Sequence, residues 1–302
     1  MPTAIPLIDV SGAEAGAGID RACRTVGFFV ATGHGVPPPI VDGAWAAARD
    51  FFDRTLDTKM EARREGNPYG FEPVRHEALG RTLGETSAAL PDPKQTFNLG
   101  PPYRGPDSGF GSHERIWPTS PYELRPNLLN YYAEMERLAR RILELFAEAM
   151  GQERRFFEPF VDRHVSALRI LDYPASAGSD LLRAGAHTDY GTLTLLRADP
   201  EVGGLEVSDG SGGWVAVPAV ADSFVVNIGD LMHRWSNGRW RSTLHRVIGD
   251  PQGRRRNSIA FFHNPNWDAL VEPILLSPDE QSRFEPVVAG PWLETKVGRA
   301  HS

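Results

Sequence analysis

Apolar and polar positions recur in two rhythms along the chain, and the change of rhythm near residue 165 divides it. Before that point the period is mixed. IPLIDVSG reads as a short strand ending in a turn, AEAGAGIDRACRTVG repeats with helical spacing, and FFVATGHGV reads as a strand. Residues 37–64 open on prolines and carry apolar Val41, Trp45, Ala48, Phe51 and Phe52, which predicts one amphipathic helix. Residues 66–117 are rich in Gly and Pro and have no period, which predicts a lid, a binding surface or a strand-containing excursion. Residues 122–151 carry the clearest helical pattern. Leu128, Tyr131, Tyr132, Met135, Leu138, Ile142, Leu145, Phe146 and Ala149 fall on one face, and Gly151 stops it.

Beyond residue 165 short strands alternate with turn residues: VSALRILDYP, GTLTLLRAD, GGLEVSD, WVAVPAV, SFVVNIGD, STLHRVIGD and NSIAFFHNPN. Strands this short and regularly spaced predict a closed or double-sheet antiparallel structure, with a jelly roll the leading candidate. The Asn-Gly pair in SNGRW is a hairpin signal.

Composition narrows the classes. With 41% hydrophobic and 24% charged residues, the 302-residue chain is that of an ordinary globular protein able to bury a sizeable core. A formal charge of −7 gives no reason to expect a nucleic-acid partner. The single cysteine, Cys23, excludes an internal disulfide framework and any multi-cysteine zinc or iron–sulfur site. The N-terminus has no secretory pattern and no apolar run is long enough to span a membrane. A cytoplasmic monomer is expected.

The chemistry begins at AGAHTDYGTLTLL, residues 184–196, where His187 and Asp189 stand two positions apart. In a strand, residues i and i+2 point to one face, so both would aim at one point. His245, in STLHRVIGD, lies on a later strand that can sit beside the first in a rolled sheet. Two histidines and one carboxylate leave three octahedral positions open, which suits non-haem Fe(II) chemistry with dioxygen. The same set can hold hydrolytic zinc, although the chain has no H-E-x-x-H helix. Arg256 and Ser258 share a strand face, and a guanidinium with a hydroxyl forms a receptor for a carboxylate. The plain alternative is a solvated turn of three arginines. Asn227, Gly229 and Asp230 are read as shaping a turn, and His34, His233 and His263 as ordinary hydrogen-bonded histidines.

The order HTD, H, R-x-S, within HTDYGTLTLL, FVVNIGDLMHRWSNGRWRSTLHRV and RRNSIAFFHNPN, resembles the isopenicillin N synthase-like group of Fe(II)/2-oxoglutarate-dependent oxygenases. IPLIDVSG, RACRTVGFFVATGHGVP, FFDRTLDTK and DPKQTFNLG extend the resemblance over most of the chain. It implies a mainly β protein with flanking helices around a double-stranded β-helix (jelly-roll) core. Residues 1–117 would form a mixed α/β segment that packs on the core and shapes the substrate pocket, and residues 118–302 the helix-buttressed oxygenase core. It also implies Fe(II) on His187, Asp189 and His245, and 2-oxoglutarate gripped by Arg256 and Ser258 with help from Tyr173. Dioxygen would be the second co-substrate, and no side chain need act as a nucleophile. Many plant members read N-Y-Y-P where this chain has Leu171 and Asp172 before the tyrosine, which bears on the co-substrate's hydrogen bonds.

The implied reaction is oxidation of a small-molecule metabolite, by hydroxylation, desaturation or cyclisation, with 2-oxoglutarate going to succinate and CO2. One alternative is an Fe(II) oxidase of the same family that turns Arg256 and Ser258 on a substrate carboxylate. The other is a non-catalytic jelly-roll binding protein. Substrate-pocket candidates are Tyr69, Phe71, Phe97, Asn98, Tyr190, Phe262 and Asn264. Arg169 has the strand parity of Tyr173 and is expected to face the same cavity, where it pairs with a substrate carboxylate or with an acid of the protein.

Overall fold

Strand β1 (Leu7–Asp9), helix α1 (Ala15–Thr25) and strand β2 (Phe28–Thr32) follow the order read from the N-terminal pattern. The computed structural model describes residues 4–74, 92–105, 107–175 and 182–301. The amphipathic stretch that follows β2 is not one helix but two, α2 (Pro38–Phe52) and α3 (Leu56–Met60). The break is local chemistry: the Thr55 hydroxyl accepts from the Thr58 backbone N–H and starts the second helix afresh. The Gly/Pro-rich stretch is the strand-containing kind of excursion. It holds β3 (Gly70–Glu72) and β4 (Gln95–Leu99), while residues 75–91 and 106 lie outside the described residues.

Helix α4 (Leu124–Ala149) buries the predicted face, from Leu128 to Phe146, with Leu145 and Ala149 half-buried at its margin. Its end is set by Gly151, whose φ of 69° lets the N–H of Gln152 turn back to the Ala147 carbonyl. The single turn α5 (Glu158–Val161) leads into the strands.

The β-rich half runs β5 (Ala167–Tyr173), β6 (Ala184–His187), β7 (Leu193–Arg197), β8 (Leu205–Ser208), β9 (Trp214–Ala216) and β10 (Phe224–Ile228). After the short helix α6 (Asp230–Trp235) come β11 (His245–Val247), β12 (Arg256–His263), the small ladder β13 (Leu270–Val271) with β14 (Val287–Val288), and helix α7 (Ala289–His301). Four of these strands form a minor sheet in the order β6-β11-β8-β9. Four others, β10-β7-β12-β5, face them as the second half of the jelly roll. The N-terminal strands extend that second sheet at both ends, giving β1-β2-β10-β7-β12-β5-β4-β3.

Period-two alternation decides what each face of the large sheet does. On β12, Ile259 and Phe261 pack with the helices, while Arg256, Ser258, Ala260 and Phe262 face the space between the sheets. On β5, Leu168 and Ile170 go to the helices and Ala167, Arg169, Leu171 and Tyr173 to the interior. Phe28, Val30 and Val225 close the gap against Ala184, Leu205, Val207 and Val247 of the minor sheet. The remaining space is the cavity. The Asn-Gly pair is not a hairpin: Asn237 and Gly238, at φ 51° and 74°, end α6 instead. Consecutive left-handed residues serve a helix stop as well as a tight turn.

Candidate active site

His187 is the last residue of β6 and His245 the first of β11, and the two are direct cross-strand partners. Their ring centroids lie 4.3 Å apart. Asp189 reaches them differently from the expected strand alternation. The chain leaves the sheet after His187, so Asp189 sits in the connection to β7, held by a hydrogen bond from the Asp230 N–H to its carbonyl. Its Oδ1 stands 3.9 Å from His187 Nε2 and 3.7 Å from His245 Nε2. One atom of each residue thus falls within 4.8 Å of the others.

Hydrogen bonds behind the three groups decide which atoms face inward. His187 Nδ1–H donates to the Gly185 carbonyl at 2.8 Å and His245 Nδ1–H to that of Thr243 at 3.1 Å. Both Nε2 lone pairs are left facing Asp189. The other carboxylate oxygen, Oδ2, accepts from Thr194 Oγ1 at 2.5 Å and from Asn227 Nδ2 at 2.7 Å, so Oδ1 is the one turned inward. Burial, the neighbouring His245 and Lys94 push the His187 imidazole down to about 4 against the pull of Asp189, so it is neutral at pH 7. Burial alone would raise the Asp189 carboxyl, but both imidazoles and the two hydrogen bonds outweigh it and hold it below its usual range. Three donor atoms converge on one point, and with their lone pairs turned inward they repel one another. A divalent cation resolves that conflict, and the donor set fits Fe(II).

Asn227 does more than shape a turn. A polar side chain within the fully buried strand FVVNI was the available signal, since an inward amide needs a partner. Gly229 fits the turn reading, because a Cβ there would lie 2.2 Å from the Gly191 carbonyl oxygen. Asp230 ties this corner to α7 through Lys296 at 2.8 Å. His34, His233 and His263 bond locally to Val36, Trp240 and Thr192.

Arg256 and Ser258 line the same cavity, and Arg256 is the cross-strand partner of Tyr173. The guanidinium lies 5.1 Å over the Tyr173 ring, donates through Nε to the Gly203 carbonyl at 2.7 Å and through Nη1 to Ser258 Oγ at 3.1 Å. Only 1% of the residue is exposed, and burial pushes its pKa down. Among the described residues no carboxylate forms an ion pair with it. A buried, unpaired cation on a cavity wall is a receptor for an anion from outside.

Of the departure at Leu171 and Asp172, Leu171 faces the cavity as the cross-strand partner of Ser258, whereas Asp172 leaves the receptor untouched. Asp172 projects from the opposite face of β5, where it accepts from Arg255 Nε at 2.5 Å, Asn257 Nδ2 at 2.7 Å and Gln95 Nε2 at 2.7 Å. Replacing Asp172 with Ala strands those donors and is expected to cost about 2–4 kcal/mol of stability by urea unfolding. The KM for 2-oxoglutarate should not change.

The cavity has a volume of about 290 Å³. Tyr69, Asn98, Arg169, Tyr190, Phe262 and Asn264 line it. Phe71 and Phe97 do not. They pair across β3 and β4 on the helix-facing side and pack edge-on against Phe51 at 5.9 and 5.0 Å. The unperiodic sequence gave no parity for choosing between Tyr69 and Phe71, or between Phe97 and Asn98. Arg169 Nε donates to Asn98 Oδ1 at 2.9 Å, which fixes the plane of its guanidinium. Lys94 and Glu72, and Leu293 and Val297 of α7, also reach the cavity and were not singled out in the sequence.

The sequence pattern of the 2OG-Fe(II) oxygenase superfamily matches residues 163–265, and that of the non-haem dioxygenase in morphine synthesis N-terminal region matches residues 5–120. Validamycin A dioxygenase of Streptomyces hygroscopicus subsp. limoneus is 34% identical over 269 residues, which cover 85% of this chain and 73% of that enzyme. A full-length Neurospora crassa protein solved in complex with alpha-KG and thymine superposes with a TM-score of 0.85 at 28% identity, covering 97% of this chain and 96% of that one. JOX2, solved in complex with 2OG, Fe and JA, superposes with a TM-score of 0.80 at 28% identity, covering 99% of this chain and 86% of that one.

Proposed function

The chain belongs to the 2OG-Fe(II) oxygenase superfamily, and from that premise we propose how its residues divide the reaction among them. It is a 2-oxoglutarate-dependent dioxygenase acting on a small molecule. His187 Nε2, Asp189 Oδ1 and His245 Nε2 hold the Fe(II), and Thr194 and Asn227 keep the carboxylate turned toward it. Bound iron supplies the redox chemistry by which dioxygen gives one oxygen atom to succinate and oxidises a substrate C–H bond.

The protein's share is binding, register and the exclusion of water. Arg256 neutralises the distal carboxylate of 2-oxoglutarate, the Ser258 hydroxyl adds a hydrogen bond, and the Tyr173 ring backs the guanidinium. Gly203, by accepting from Nε, stops the guanidinium from swinging out of register. The observation that carries this reading is the fully buried Arg256, without an acid partner among the described residues, on the wall of the cavity that holds the triad. Succinate release in the presence of Fe(II), ascorbate and candidate substrates tests it. Substrate oxidation should require 2-oxoglutarate absolutely, with succinate released alongside, and substrate oxidation without it would turn Arg256 into a substrate receptor instead.

The substrate occupies the part of the cavity lined by Tyr69, Asn98, Arg169, Tyr190, Phe262 and Asn264. Arg169, pinned by Asn98, takes an acidic group of that substrate. Screening carboxylate metabolites by succinate release identifies a working substrate for the comparison. Replacing Arg169 with Leu is expected to raise its KM by about 10- to 100-fold, the worth of a charge-assisted hydrogen bond. Decarboxylation of 2-oxoglutarate without substrate should continue at the original rate. An unchanged KM removes Arg169 from the substrate site.

A further inference from the structure

The segment 92–94, Asp-Pro-Lys, precedes β4 in the stretch where the sequence shows no period. Asp92 and Lys94 are nonetheless buried, at 5% and 3% exposed, and form an ion pair at 2.8 Å. Withdrawing two charges from water costs several kcal/mol per ion unless good geometry and further hydrogen bonds offset it. The further bond is specific. Asp92 Oδ1, the oxygen not engaged by Lys94, accepts from the backbone N–H of Gly185 at 3.2 Å.

Gly185 lies where the ladder between β6 and β11 is irregular. His187 pairs with His245 and Ala184 with Val247, so three steps on β6 are set against two on β11. The extra residue is a bulge, and a bulge takes local backbone groups out of the ladder and re-aims the side chains beside it. Both polar groups of Gly185 are satisfied elsewhere: its N–H by Asp92, its carbonyl by the Nδ1–H of His187. A continuous line therefore runs from Lys94 through Asp92 and Gly185 to the imidazole at the metal site.

We propose that Asp92 is a positioning residue for the metal centre, holding the β6 bulge so that His187 Nε2 stays aimed at Asp189 Oδ1. Lys94 orients Asp92 and also lines the substrate cavity, so the wall of the substrate chamber and the first metal ligand share one strut. The inference rests on the reading of His187 as a metal ligand.

Two doubly substituted proteins isolate the strut, because removing both charges together avoids stranding either one. Asp92→Asn with Lys94→Gln keeps an oxygen for the Gly185 N–H, whereas Asp92→Leu with Lys94→Met removes it. Anaerobic Fe(II) affinity, measured by competition with a chromophoric chelator, is expected to stay within about threefold for the first pair. It should weaken by about 10- to 100-fold for the second, the range seen when outer hydrogen bonds to metal ligands are lost. The Co(II)-substituted second pair should also show altered visible band intensities at metal saturation, which a merely global loss of stability would not produce. Asp92→Ala with Lys94→Met takes its place should the larger pair not fold. Equal affinities and superimposable Co(II) spectra for the two pairs overturn the inference. His187→Ala, included alongside, separates the outcomes: if it binds metal as the unmodified protein does, the ligand reading fails, not the strut.

Discussion

Replacing Asp189 with Asn abolishes Fe(II) binding and with it turnover, by about a thousandfold or more. Two effects combine. The carboxylate is the one anion among the three donors, and about 4 kcal/mol of charge-assisted ligation, a thousandfold in affinity, goes with it. Geometry then blocks the amide from substituting. Oδ2 accepts from both Thr194 Oγ1 and Asn227 Nδ2, so an amide either sets its NH2 against the Asn227 NH2 or turns its NH2 toward the histidines. Neither orientation gives a metal both an oxygen and a relaxed support. The measurement is thermal unfolding with and without metal under anaerobic conditions. At a hundred times its Kd a metal stabilises the native state by about 2.7 kcal/mol. The unmodified protein is expected to show that gain as a rise of a few degrees, and Asp189→Asn to show none. A retained metal-dependent rise would place the ion elsewhere.

Arg256→Leu is expected to weaken 2-oxoglutarate binding by about thirtyfold to several thousandfold, since removing one partner of a desolvated, hydrogen-bonded charge pair costs roughly 2–5 kcal/mol. The distal carboxylate would enter a pocket walled by Leu171, Tyr173 and Ala260 with only Ser258 to meet it. Fe(II) affinity without co-substrate should be unaffected, because Arg256 makes no contact with the triad. Stability separates this loss from misfolding. The guanidinium is buried without an acid partner among the described residues, and burial already disfavours its charged form, so the ligand-free variant should melt no lower than the unmodified protein. Equilibrium binding of 2-oxoglutarate and a melting curve on the same preparation check both halves. Unchanged affinity would reassign Arg256.

Much of this arrangement could be read from residue order because strands impose a simple rule. On β12 the alternation in RNSIAFF sends Arg256, Ser258, Ala260 and Phe262 one way and Ile259 and Phe261 the other, and β5 sorts Arg169 and Tyr173 in the same manner. His187 facing His245 follows once β6 and β11 are neighbours. Where the chain leaves regular structure the rule has nothing to say. Asp189 lies off the strand, and its orientation comes from Thr194 and from Asn227, 38 residues away. Asp92 meets Gly185 across 93 residues, a contact no local pattern encodes. Phe71 and Phe97 lie in a stretch whose missing period leaves their facing open, and Phe51 claims both for the core. The break between α2 and α3 turned on a single hydroxyl, Thr55, that apolar spacing could not weigh.

Turnover requires iron and 2-oxoglutarate to meet in one cavity, the first on His187, Asp189 and His245 and the second anchored by Arg256. Anaerobic addition of 2-oxoglutarate to the Fe(II)-loaded protein, followed by visible absorption, tests that directly. A weak metal-to-ligand charge-transfer band should appear only when both are present, and should be absent from the Asp189→Asn protein. Saturating Fe(II) and 2-oxoglutarate with no such band, or the same band from the Asp189→Asn protein, would contradict the assignment.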